Sequence, residues 1–208
     1  MKTLRLDHKV EHPLVLGDAY HYGRDLLGSV TKDMYDGKPI CCIEDAGLLA
    51  QIICNTKGDH LEIGTAYGGS ALIAIKAMDY CGRNGDKVVC IDPFKEGRRK
   101  TAHKAVEKEF WNNIDKFGVR DRIEHIKEFS HPFPIKGRRF ETALIDGDHS
   151  YEYVLNDWEN VKKVVDKYVM FHDFRKSGVN KTVNEHALQD KRWSLSTLHG
   201  WSAVLIKC

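Results

Sequence analysis

The stretch "HLEIGTAYGGSALIAIKAM", His60–Met78, opens on a short apolar run, breaks into glycines and resumes as alanine-rich sequence with helical spacing. That order predicts a strand, a tight turn and a helix, and such a turn cradles a ligand where the strand gives way to the helix. Three kinds of turn share the spacing. A triphosphate-gripping turn needs a lysine after its last glycine, and Ser70 stands there instead. A dinucleotide turn needs G-x-G-x-x-G, and Gly64, Ala66 and Gly69 fall one substitution short of it. Glu62 separates the remaining readings, because a carboxylate two residues before the first glycine repels a pyrophosphate and suits a cationic ligand.

Downstream of this stretch, short apolar runs alternate with longer amphipathic segments, the pattern of a parallel sheet with crossover helices. Strands are predicted at 60–63, 88–91, 123–126, 142–145 and 168–171. Helices lie between them. Ala102, Val106, Phe110, Ile114 and Phe117 make one stripe, and Tyr151, Val154, Leu155, Trp158, Val161 and Val165 another. The C-terminal "WSLSTLHGWSAVLIKC" reads as two strands joined at His199 and Gly200, which adds an antiparallel strand to an otherwise parallel sheet. Upstream, "CIEDAGLLAQIICNTKG" reads as a helix ending near Gly58.

At 208 residues and 42% hydrophobic, the chain supports one sizeable core with an N-terminal extension. No apolar run is long enough to span a membrane and no signal-peptide core stands at the N-terminus, so a cytoplasmic protein is expected. The six cysteines lack C-x-x-C spacing, and neither a disulfide framework nor a zinc site is expected of them. A formal charge of +2 sets up no strong field for nucleic acid. The two basic clusters, Lys95–Lys100 and Lys136–Arg139, lack interleaved aromatics and read as solvated loops.

S-adenosylmethionine answers the demand that Glu62 makes: it has no phosphate, carries a positive ammonium and a positive sulfonium, and presents a ribose diol. Asp92, at the end of the second predicted strand in "VVCIDPF", is placed to accept both ribose hydroxyls. Together "LEIGTAYGGSA", "CIDPF", "LIDGDHSYEYVLND" and "MFHDF" resemble the class I S-adenosylmethionine-dependent methyltransferases. Within them the sequence is similar to the small-molecule O-methyltransferase branch that includes macrocin O-methyltransferase-like and cephalosporin-hydroxylase-like proteins. The resemblance covers roughly residues 43–207, with "DGDHSYE" its most specific part.

The resemblance implies a Rossmann-like, doubly wound α/β fold: a seven-stranded sheet, mostly parallel with the last strand antiparallel. Residues 1–40, with Pro13, Pro39 and scattered glycines, lie outside the resemblance and read as an N-terminal arm or cap, and residues 41–208 as the methyltransferase domain. The turn from Glu62 through Gly64, Thr65, Ala66, Tyr67 and Gly68 to Ser70 would hold the methionine part of the cofactor, and Asp92 the ribose. Phe94, Phe129 and Ser130 would flank the adenine.

Polar clusters close two further strands, Asp146, Asp148 and His149 after the fourth and His172 and Asp173 after the fifth. A hydroxyl attacks a methyl group well only after its proton leaves. In the branch this chain resembles, a divalent cation such as Mg or Mn is held at positions matching Asp146, His172 and Asp173, although His172 stands where the family has an acid. Such a cation lowers the acceptor's pKa. His149 is the other candidate base, since an imidazole titrates at about 6.5 without a metal. The expectation is O-methylation of a small-molecule hydroxyl acceptor, with a sugar or sugar-bearing metabolite among the candidates, with no membrane or nucleic-acid partner and with a homo-oligomer left open. An NAD-dependent oxidoreductase and a non-catalytic cofactor-binding assembly subunit are the competing readings.

Overall fold

The computed structural model describes residues 14–33, 42–94 and 103–208. The strands are β1 (His60–Ile63), β2 (Val88–Ile91), β3 (Ile123–Ile126), β4 (Phe140–Ile145), β5 (Val165–Phe171), β6 (Trp193–His199) and β7 (Ser202–Lys207). They form a single seven-stranded sheet in the order β3-β2-β1-β4-β5-β7-β6. Pairs among β1 to β5 are parallel, and β7 runs antiparallel between β5 and β6. The terminal hairpin is as expected, but its second strand inserts inside the sheet and leaves β6 at the edge.

Among the described residues six α-helices cover the sheet: α1 (Asp18–Asp33), α2 (Ile43–Cys54), α3 (Gly69–Tyr80), α4 (His103–Lys116), α5 (Tyr151–Val164) and α6 (Ser177–Glu185). Alternation along each strand separates two cores. Val88 and Cys90 point to the side of α2, α3 and α4, while Val89 and Ile91 point to the side of α5 and α6. Trp158 is fully buried on that second side. In β1 the apolar Leu61 and Ile63 face α5, which leaves His60 and Glu62 alternating toward α3.

Helix α3 is apolar nearly all round, with Leu72, Ile73, Ala74, Ile75, Ala77 and Met78 fully buried. A helix of that kind needs cover on its outer face as well. Within the segment expected as an arm or cap, α1 supplies that cover by packing Tyr20, Leu27 and Val30 into the same core. At Gly23 the backbones of α1 and α2 come so close that a Cβ would overlap the Ala46 carbonyl and the Ala50 methyl.

Two expectations change. Cys54 and Cys81 form a disulfide between the C-terminal ends of α2 and α3, where free thiols were expected. Their positions 27 residues apart carry no local spacing signal, because the pairing arises from the packing of two helices. In the second basic cluster Arg138 pairs with Asp59 at 2.7 Å and Glu124 at 2.6 Å, and Arg139 pairs with Asp166. Those guanidiniums are engaged rather than simply solvated. The first cluster lies outside the described residues.

Candidate active site

The carboxyl ends of β1 to β5 open on one side of the sheet, where ligands of doubly wound folds bind. Gly64, the first residue past β1, has φ +82°. A Cβ there would overlap the Asp146 carbonyl and the Gly147 Cα, so β1 and β4 end in contact only because the residue is glycine. Ala66 takes φ +43°, a left-handed conformation uncommon outside glycine. Asp92 holds it there, because its Oδ2 accepts from Thr65 N at 2.9 Å and Ala66 N at 3.1 Å while its Oδ1 accepts from Phe94 N at 2.8 Å. Asn113 on α4 donates to the Tyr67 carbonyl and ties down the far side of the turn.

Beside this turn is a cavity of about 480 Å³. Of the residues expected at a cofactor, Gly64, Thr65, Ala66, Ser70, Asp92, Phe129 and Ser130 line it, and Asp146, expected as a catalytic residue and metal ligand, lines it with them. Glu62, Tyr67, Gly68 and Phe94 do not. Phe94, at φ +45°, turns inward against Phe110 and His125, and Pro93 takes the place on the wall. Phe129, by contrast, is half exposed at the rim. Glu62 is fully buried beneath the turn, where Ser70 Oγ donates to its Oε1 at 2.9 Å. Burial pushes its acid up to about 8, against hydrogen bonds from Thr65 and Ser70 that lower it. Glu62 therefore acts on the cavity through Ser70, and the direct repulsion expected from a bare carboxylate is not its role.

Beyond Ser70 and Asp146 the cavity adjoins a small recess lined by Asp45 and His172. His172 Nδ1 is 3.0 Å from Asp146 Oδ1. Its Nε2 is 3.3 Å from Asp45 Oδ2, near enough for an ion pair although not aligned as a hydrogen bond. Burial works against the imidazolium, but the bonds and charges of Asp146 and Asp45 prevail and raise it to about 10. Both carboxyls are in turn held below their ordinary range: burial opposes this, and it is outweighed at Asp45 by the His172 charge with hydrogen bonds from Cys42 and Ser202, and at Asp146 by hydrogen bonds from His149 and His172. Asp45 Oδ1 also accepts from Ser202 Oγ at 2.7 Å and Trp201 N at 3.1 Å, which anchors the terminal hairpin to α2.

This arrangement does not fit the expected cation at Asp146, His172 and Asp173. Both ring nitrogens of His172 already face carboxylates, Asp146 on one side and Asp45 on the other. Among the described residues no cluster of His, Cys, Asp or Glu is disposed to hold a metal ion. His149 is placed differently: partly exposed, with Nε2 3.3 Å from Asp146 Oδ1 and Nδ1 3.6 Å from Asp173 Oδ2. It is oriented by two carboxylates at the mouth of the strand ends.

Sequence reasoning missed Asp45, Pro93, Tyr153 and Asp157. Asp45 is the third residue of α2 and bonds back to Cys42 N at the helix start, so it resembles a routine capping acid. Asp157 sits between Asn156 and the core residue Trp158, and its burial depends on the loops that β3 and β4 bring over it.

A doubly wound sheet with an inserted reversed strand, a glycine turn after β1 and an acid closing β2 defines a Rossmann-like methyltransferase fold. Residues 61–174, more than half of the chain, match the family described as a methyltransferase domain, and the chain belongs to that family. Three solved structures are similar. The O-methyltransferase NovP matches with a TM-score of 0.66 at 16% identity, covering 90% of this chain and 97% of that one. The Podospora anserina methyltransferase PaMTH1, solved with S-adenosylhomocysteine, matches with 0.63 at 12%, covering 92% and 88%. The Bacillus cereus O-methyltransferase, also in complex with S-adenosylhomocysteine, matches with 0.57 at 15%, covering 91% and 90%. At these identities the likeness is one of fold. Uncharacterized protein R132 of Acanthamoeba polyphaga mimivirus is 29% identical over 144 residues, 65% of this chain. The chain spans about half, 53%, of that relative's length.

Proposed function

We propose that the protein transfers a methyl group from S-adenosylmethionine to a hydroxyl of a small molecule. The observation that carries this reading is the cavity that runs from the Gly64–Ser70 turn past Asp92 and ends at Asp146, beside His149. S-adenosylhomocysteine bound in PaMTH1 and in the Bacillus cereus protein supports the cofactor, and the likeness to the O-methyltransferases NovP and that of Bacillus cereus supports an oxygen acceptor. In this reading the methionine part lies along the turn, Asp92 Oδ1 receives a ribose hydroxyl, and the adenine reaches Phe129 and Ser130. His149 takes the acceptor's proton, with Asp146 and Asp173 stabilising the imidazolium that forms. The sulfonium has already activated the methyl carbon, so the protein's remaining task is to align the attacking oxygen.

The test is calorimetry with S-adenosylhomocysteine, NAD and ATP, followed by turnover against a panel of hydroxylated metabolites that includes nucleotide sugars and phenols. Binding of S-adenosylhomocysteine alone and its release on turnover support the reading. NAD binding with no response to S-adenosylhomocysteine would overturn it.

A further inference from the structure

The cavity has a direction. At Ser70 and Asp146 it adjoins the recess of Asp45 and His172, and at Phe129 and Tyr153 it adjoins an outer groove lined also by His131, Glu152 and Asn156. If the reacting end lies at Asp146, the far end belongs to the base of the nucleoside. The buried polar group at that end is Asp157.

Asp157 projects from α5 beside the core residue Trp158 and is only 2% exposed, yet it lines the cavity. Its Oδ1 has no hydrogen-bond partner. Its Oδ2 lies 3.7 Å from where a Cβ on Gly147 would stand, so it faces the β4 loop across a gap that glycine leaves open. An unpaired buried carboxyl oxygen costs about 1–3 kcal/mol, and the cost is offset if a ligand completes the pair. Ser130 is the hydroxyl nearest in effect, and Asp148 adds a negative charge nearby.

We propose that Asp157 reads the Watson–Crick edge of the cofactor's adenine, its carboxyl oxygen accepting from the exocyclic amine and its O–H donating to N1. Adenine shows a donor beside an acceptor on that edge, and a neutral carboxylic acid shows the complementary pair. The protonation state required is the one this site favours, since burial pushes the acid up to about 7, with Ser130 lowering and Asp148 raising it. Asp148 and Glu152 are solvent-exposed and do not supply such a buried edge. The inference rests on the reading that S-adenosylmethionine occupies this cavity.

The experiment compares, by calorimetry, S-adenosylhomocysteine with the 6-deamino (purine) analogue, which lacks the amine, and with the 1-deaza analogue, which lacks N1. Wild type should prefer S-adenosylhomocysteine over each by about tenfold or more, as expected for losing a buried hydrogen bond. Asp157→Asn, whose amide keeps a donor and an acceptor, should retain the preference over both analogues. Asp157→Ala should bind all three within about threefold of one another. If Asp157→Ala melts at the assay temperature, Asp157→Thr, which has no carboxyl, replaces it. A wild type indifferent to the 1-deaza change, or a folded carboxyl-free variant that still discriminates, overturns the inference and leaves the cofactor assignment standing. A wild type that binds none of the three overturns the cofactor assignment itself.

Discussion

His172 Nδ1 and His149 Nε2 converge on one oxygen, Asp146 Oδ1, at 3.0 and 3.3 Å. The two imidazoles differ in access. His172 is buried and faces Asp45 on its other side, whereas about a third of the His149 side chain meets solvent. The buried one is a fixed cation between two carboxylates, and the exposed one is free to meet an acceptor. His172→Ala should therefore act on stability, because it leaves Asp45 and Asp146 buried without the charge between them. A loss of about 3–5 kcal/mol is expected in urea denaturation. Asp45→Asn in the same chain should recover part of it. A loss under about 1 kcal/mol would show that the pairing is not built as described.

Replacement of His149 should act on turnover instead. His149→Ala is expected to lower the rate by about 10²- to 10⁴-fold while affinity for S-adenosylhomocysteine stays within about twofold of wild type. Chelators should change little, because Asp146 and His172 already satisfy one another. Rescue of a chelated, inactive enzyme by Mg or Mn would reverse this assignment and return Asp146 and Asp173 to the metal-ligand role.

The sheet was legible because its signals are local. Each buried strand is a short apolar run bounded by turn residues, and the stripes on α4 and α5 recur at helical spacing within one element. Phe94 shows where locality ends: an aromatic two residues after Asp92 reads as a wall for the base, but φ +45° turns it into the cluster with Phe110 and His125. Asp45 is harder still, since its partner His172 lies far along the chain and meets it only because β7 inserts beside β5 and carries Trp201 and Ser202 to the start of α2. Helix α1 carried no recognised signal because its need arises from α3, whose outer face is apolar.

Gly64 offers a sharp test of how the site is assembled. Alanine at this position meets both a left-handed backbone and the overlapping Asp146 carbonyl. The conformation costs about 1–2 kcal/mol, and the overlap adds about 1–3 kcal/mol. Gly82 is the control, with φ +74° and nothing within 4 Å of a Cβ, so Gly82→Ala should cost only the first part. Denaturation midpoints of the two variants should separate clearly. Equal losses would mean that β1 and β4 part at their ends to admit a methyl group.

Glu62 links the site to pH. Its acid is raised from the ordinary 4.5 to about 8, so between those values the folded protein holds a proton that the unfolded chain has released. Stability must then fall as pH rises across that window, by up to about 1.4 kcal/mol per pH unit for one proton, and level off above pH 8. Asp157, raised to about 7, slopes the same way, so wild type alone cannot separate the two. Glu62→Gln keeps an acceptor for Ser70 and removes one titration, and its stability should fall less steeply between pH 5 and pH 8 than that of wild type. Binding supplies a second readout. A cationic methionine ammonium near Ser70 favours the ionised form of Glu62, so the cofactor should expel a proton at neutral pH. Calorimetry at pH 7 in buffers of different ionisation enthalpy measures that release, which Glu62→Gln should diminish. Identical release by both proteins, together with parallel stability curves, would place the titrating group elsewhere in the cavity.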